Sequence, residues 1–445
     1  MQDEPPNPVP ADDAAPDAAP APSLWRDRAF VAIWSASTVS IFGSLITRTA
    51  LPWAAILTLD AGAMDIAALR GVEQVAGLLV GLFAGAWVDR LRRRPIMIGA
   101  DLGRALLLGS IPVAFAVHAL GMTQLIVVAF LAAMLSTVFD VADRSYLPSV
   151  VARRHLVRAN SALTASASVA EFSSFGIGGF LINILTAPIA IAFDAISFVV
   201  SALLLGTIRK AEPPPKPVEH REPVLHEIRE GLRIVAHSPT LRALALSHGG
   251  THILWGIFGT GYLLYARDQL GLDPAATGII AALGGVGSLA GSLAVPWALR
   301  RFGVGRTILG GMGLFTIGNF LIPLAPSGAP LLAAGFLITQ QLIGDSGGTV
   351  YEIVETSVVQ SSVHDRVLGR VNASIFAFTT GATLLGVILG GVIGEVLGLR
   401  TAFFIGMVGA VIAIAAVWFS PVRHMRDTTI SDGPVMPGDQ SPLTE

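Results

Sequence analysis

The sequence predicts an all-α polytopic membrane protein, with twelve transmembrane helices in two six-helix halves, from three observations. The chain of 445 residues is 53% hydrophobic and 13% charged, with a mean hydropathy of +0.67. That is too apolar for polar groups to cover a water-facing surface. Its apolar residues gather into twelve stretches of about 20, the length of one bilayer crossing. Its arginines collect in alternate loops. Cysteine is absent, which excludes disulfides, thiolate zinc sites and thiol nucleophiles. A net charge of −2, without a basic tail, leaves no footprint for nucleic acid.

Residues 1–23 are rich in Pro, Ala and Asp. They lack the basic and apolar regions of a signal peptide and read as a disordered cytoplasmic tail. The twelve stretches follow at 30–58, 66–88, 96–118, 122–147, 160–184, 188–208, 241–265, 274–299, 307–326, 329–353, 371–396 and 400–420. With both termini inside, 24 of the 29 Lys and Arg fall in inside loops, and only Arg267 and Arg400 in outside ones. This is the asymmetry of the positive-inside rule. The six-helix halves are 24–208 and 241–422, joined by a cytoplasmic linker, 209–240. In the linker, Leu225, Ile228, Leu232 and Val235 recur at helical spacing, predicting an amphipathic helix at the inner membrane surface. Residues 423–445 read as a second disordered tail. Trp25, Trp87, Trp297 and Trp418, near span ends, read as interfacial anchors.

The halves echo each other. "RANSA" at 158–162 returns as "RVNAS" at 370–374, and Gly178-Gly179 returns as Gly390-Gly391, both at an offset of 212 residues. Repeated six-helix units around a central cavity are a transporter architecture. The stretch "GAWVDRLRRR" (85–94) lies on the inside loop after the second span. Gly85 permits close helix approach, and Asp89 is placed to bind a helix N-terminus or an arginine.

Gly85, Asp89, Arg90, Arg93 and Arg94, at the spacing G-x-x-x-D-R-x-G-R-R with Arg92 for the second glycine, resemble the hallmark loop of the major facilitator superfamily. "YLPSVVARRHLVRANSAL" (146–163) and "HDRVLGRVNA" (364–373) are similar to its bacterial macrolide-efflux and siderophore-export branch. The resemblance covers roughly 24–422. It implies a latch between the halves at the cytoplasmic side, with the eleventh helix and Arg370 opposite; the plainer reading is that these arginines only fix topology. It also implies a monomer in the bacterial inner membrane, exporting small amphipathic molecules against protons. Two features of drug–proton antiporters are altered. "LIVVAFLAAMLSTVF" (125–139) has no mid-helix arginine, and "SFGIGG" (174–179) keeps only the last two glycines of G-P-x-x-G-G. Coupling and direction therefore stay open.

Ionisable groups at membrane depth are costly and usually functional. Glu171 lies about 16 Å into its span, near the midplane; proton coupling or substrate contact stands against a structural hydrogen bond. His248 and His252, four apart, share a helix face and suit a proton relay, or simply pack against the cavity. No third ligand accompanies them, so no metal is expected. Arg48, Arg70 and Glu73 read as mutually neutralising, although an Arg48 facing the cavity would favour anionic substrates. Asp194 and Asp345 are further coupling or binding candidates. Asp101, Arg104, Asp140, Asp143 and Arg144 fall near the inner edge and read as gate residues. No nucleotide-binding loop or catalytic motif is present, which argues against an enzyme and leaves no cofactor to expect. A secondary transporter is the reading favoured. A lipid or lysolipid flippase or an importer is the nearest alternative, and a non-transporting sensor the more remote one.

Overall fold

The computed structural model describes residues 24–88, 91–210, 212 and 224–427. The first half holds α1 (Arg28–Thr58), α2 (Ala63–Val88), α3 (Arg93–Ala116), α4 (Met122–Val150), α5 (Leu156–Ile184) and α6 (Ala187–Gly206). After α7 (Val224–His237), in the linker, come α8 (Pro239–Asp268), α9 (Pro274–Phe302), α10 (Val304–Leu324), α11 (Pro330–Ser362), α12 (Asp365–Leu397) and α13 (Leu399–Trp418). Among the described residues, nine helices are long and apolar enough to cross a membrane. The other three long ones, α2, α8 and α11, carry ionisable groups: Arg70 and Glu73, His248 and His252, and Asp345, Glu352 and Glu355. All twelve expected spans are helices. Several run past the hydrocarbon length, α11 by nine residues beyond the expected end at 353.

Helices suit this composition because, in lipid, each backbone N–H and C=O must be satisfied within the segment. Their ends use polar caps. The Asp27 carboxylate accepts from the Ala29 N–H at 2.9 Å, and Asp273 from Ala276 at 2.7 Å. Gly303 (φ 76°) and Gly398 (φ 87°) alone form the turns between α9 and α10 and between α12 and α13.

The two halves pack alike. α1 lies against α5 and α6, α3 against α4 and α6, and α2 against α4; α8 lies against α12 and α13, α10 against α11 and α13, and α9 against α11. The paired glycines sharpen the match. Gly178 touches Ile46 on α1, and Gly390 touches Ile257 on α8, each within its own half. Gly179 meets Pro274 and Gly278 on α9, and Gly391 meets Ala67 on α2, each across to the other half. A side chain at either crossing glycine would collide with the facing helix.

Those crossings lie at the end of the bundle remote from the termini. There a single apolar core joins Trp53, Ile56 and Phe198 of the first half to Leu254, Tyr265 and Phe403 of the second. Arg267, in the last turn of α8, donates to the Ile56 carbonyl at 2.8 Å and pairs with Asp60 at 3.6 Å. At the terminus end the cores are separate. One gathers Phe30, Met97, Tyr146 and Leu205; the other gathers Leu241, Val354, Val371 and Val417. Among the described residues, the halves thus share a core at one end and have separate cores at the other.

The linker helix differs from expectation. Ile234 and Val235 of α7 are buried in the second half's core, and its Gly231 sits against Arg370 and Ser374 of α12. That part of its apolar face packs on protein, while Arg229, Leu232 and Arg233 are exposed. Trp25, Trp297 and Trp418 are half exposed near helix ends, as interfacial anchors require. The expectations for 1–23, for 213–223 and for 428–445 lie outside the described residues.

Candidate functional site

Between the halves lies a cavity of about 1130 Å³, lined by α1–α6 and α8–α12. Its apolar surface includes Phe172, Phe175, Phe198, Trp255, Phe258 and Phe315. A small number of polar groups in a mostly apolar hollow is the usual make-up of a small-molecule site.

On the first-half wall, each arginine has a carboxylate partner. Arg48 pairs with Glu171 at 2.5 Å, and its guanidinium lies 5.2 Å from the Phe175 ring centroid. Arg70 pairs with Glu73 at 3.2 Å and donates to the Arg48 carbonyl at 3.3 Å. The neutralisation expected among Arg48, Arg70 and Glu73 is therefore divided: α5 supplies the partner of Arg48. Glu171 sits midway along α5, as expected, but in an ion pair facing the cavity rather than in apolar surroundings.

Asp101 and Arg104, expected at the gate, lie instead inside the first half. Their pair, 2.5 Å apart, is 0% and 3% exposed at the side chains, and Arg104 reaches the cavity. The Arg104 guanidinium is held between the rings of Phe139, at 4.6 Å, and Phe198, at 4.0 Å, and donates to Ser136 at 3.3 Å. Such a desolvated cation–π contact contributes about 2 kcal/mol. The fourth helix has no arginine midway along it, its Arg144 lying further on, yet α3 delivers one to its face. Asp140 also lines the cavity, whereas Asp143 lies behind it, accepting from Ser37 at 3.4 Å. Asp194 is fully buried, accepts from Ser197 at 3.1 Å and lies against Gly43 of α1.

The second-half wall is built differently. On α11, Gln341, Asp345, Gly348 and Glu352 follow one face at helical spacing and all line the cavity. His248 and His252 stack edge to face at 5.2 Å, both on the lining. Nε2 of His248 points at Glu355, 3.6 Å away, and Nδ1 of His252 meets the His248 carbonyl at 2.9 Å. Among the described residues no group of three His, Asp or Glu is placed to hold a metal. Glu355 is missed because the tenth span is ended at 353, while Tyr351 and Glu352, inside that span, are not singled out. Val350, Val354 and Val358 continue the apolar stripe, and that signal extends the helix past Glu355.

The loop motif is only partly described. Asp89 and Arg90 lie outside the described residues, as do the surroundings of Gly85 in α2. Among the described residues, Arg93 and Arg94 meet Glu212 of the linker and the end of α6. Glu212 accepts from both their backbone N–H groups, at 2.7 and 3.3 Å, an anion at the N-terminus of α3. The Arg94 guanidinium donates to the Leu205 and Gly206 carbonyls at the end of α6. Arg370, expected opposite the motif, pairs at 2.5 Å with Glu230 of α7.

Comparison with known proteins agrees with this architecture. The chain is 27% identical over 392 residues to the multidrug efflux pump Tap of Mycolicibacterium fortuitum, covering 86% of this chain and 93% of that one. To macrolide efflux protein A of Streptococcus pyogenes it is 24% identical over 405 residues, covering 89% and 97%. In fold it resembles the nucleoside transporter NupG, with a TM-score of 0.69 at 13% identity over 88% of this chain and 98% of that one. A family model described as Major Facilitator Superfamily matches residues 33–339 and 244–435. With twelve long helices in two like-packed halves about one cavity, the chain belongs to the Major Facilitator Superfamily of membrane transporters.

Proposed function

We propose that this chain is a secondary exporter, driving small amphipathic compounds outward against proton entry by alternating access. One observation carries the reading: a large cavity bearing ionisable groups lies between halves that share a core at one end and have separate cores at the other. A bundle that rocks about such a cavity exposes it to one side at a time. The alternate-loop arginines favour a cytoplasmic side for the termini, and so for the end with separate cores, of a protein in a bacterial inner membrane. Export rather than import is favoured by the relatives named for efflux.

In this reading 24–208 and 241–422 move as units around the linker 209–240, in a monomer. Two carboxylates are suited to the proton: Glu171, in an exchangeable ion pair at the cavity, and Asp194, enclosed behind it with Ser197. His248, facing Glu355, offers a second relay across the cavity.

The test is dye and drug accumulation in an efflux-deficient bacterium expressing the chain, with and without an uncoupler. Wild type is expected to exclude the probes, and an uncoupler to abolish exclusion. Glu171→Gln leaves Arg48 unpaired at the cavity and is expected to raise accumulation towards that of the empty host; Asp194→Asn is expected to do the same. Exclusion indifferent to the uncoupler would remove proton coupling. A failure to exclude any probe would remove export.

A further inference from the structure

We infer that the second-half wall carries a subsite for the cationic group of a lipophilic substrate, with Asp345 as its counter-ion. This deepens the exporter reading and rests on it.

Each arginine on the cavity lining already has a carboxylate partner. Arg48 has Glu171, Arg70 has Glu73, and Arg104 has Asp101. Asp345 lines the same cavity and makes no ion pair with any described residue. It rests on α9, where a side chain at Gly284 would strike its carboxylate. A carboxylate in such a hollow calls for a cation, and the protein supplies none there.

Independent signs of a ligand lie alongside. Gln340 is 3% exposed and lines the cavity, and its amide oxygen has no hydrogen-bond partner. The hydroxyl of Tyr262, on the lining from α8, is likewise unpartnered. An acceptor oxygen and a hydroxyl left open on the lining that Asp345 shares suit a donor-bearing or cationic head group. Two turns before Tyr262 on α8, Trp255 is half exposed on the lining, its ring 6.0 Å from that of Phe315. Aromatic faces attract cations and cover apolar bodies.

The same features disfavour an inorganic ion. A hard divalent cation takes six or more oxygen ligands, whereas the carboxylates of the lining are dispersed, and among the described residues no three His, Asp or Glu are grouped to hold a metal. A bulky organic cation fits. Glu352, two turns further along α11 on the same face, gives such a cation a second carboxylate on its way to the end with separate cores.

The experiment is calorimetric titration of the full-length protein in detergent with tetraphenylphosphonium and with triphenylphosphine oxide, its neutral counterpart of similar shape. Asp345→Asn is expected to weaken binding of the cation at least tenfold and to leave the neutral compound within twofold. Gln341→Lys keeps the carboxylate but seats an ammonium one turn away, and is expected to do the same; it serves if Asp345→Asn does not fold. Equal weakening of both compounds, no weakening of the cation, or a wild type that binds neither overturns the subsite. The outcomes separate the two proposals. Cation binding that depends on Asp345, without exclusion of any probe in cells, keeps the subsite and removes the export reading. Exclusion together with cation binding indifferent to Asp345→Asn does the reverse.

Discussion

Arg104→Ala is expected to be the most damaging single change in the first half. It strands Asp101, 0% exposed, without its counter-ion, and takes away a guanidinium packed between Phe139 and Phe198. Breaking a buried pair by removing one partner costs about 3–5 kcal/mol, a large share of what holds a domain folded. Scanning fluorimetry of the detergent-purified protein is expected to register this as a lower unfolding temperature, with loss of transport. Removing both charges, as Asp101→Asn with Arg104→Gln, is expected to recover much of the stability, since neither side then carries a lone charge. A single Arg104→Ala variant as stable as wild type would mean that the pair does not hold α3, α4 and α6 together.

Gly391→Leu and Gly179→Leu are expected to have the second largest effect, acting on conformation. Each puts a branched side chain where the facing helix already stands: Ala67 of α2 for the former, Pro274 and Gly278 of α9 for the latter. Inserting extra methylenes into a packed seam costs about 1–3 kcal/mol. Here that cost falls on one conformation, the one closed at the end remote from the termini. A bias of about 1.4 kcal/mol changes a population ratio about tenfold, so both variants are expected to populate the oppositely open state. The chain lacks cysteine, so Thr49→Cys, on the cavity lining, gives a single thiol. A membrane-impermeant maleimide applied from outside is expected to label it much faster in the glycine variants. Equal labelling rates would mean that these crossings do not seal that end.

Much of this fold was legible because a bilayer allows so few solutions. Twelve apolar runs had to be helices, and glycine pairs at a shared offset had to mark equivalent places in the repeat; their contacts with Ile46 and Ile257 bear that out. Ionisable residues within spans stood out as candidates, but which of them face the cavity was not legible; Arg48, Glu73, Glu171, Asp194, His248, His252 and Asp345 all line it. Their partners were not legible. Arg48 and Glu171 are 123 residues apart, and nothing in the sequence selects α5 over α2 as the neighbour of α1. Arg104 was misplaced for a related reason: distance along a helix gives depth, but not whether the side chain turns inward. Glu355 was lost to hydropathy, since helices continue into the interfacial layer after their apolar run ends.

One consequence of the linker contacts concerns range rather than affinity. Glu212 is fastened to the start of α3, and α7 to α12, so the chain between 212 and 224 is a leash with each end on a different half. Twelve peptide steps reach at most about 40 Å when pulled straight. However the cavity is loaded, covalent length sets a ceiling on how far the end with separate cores can gape.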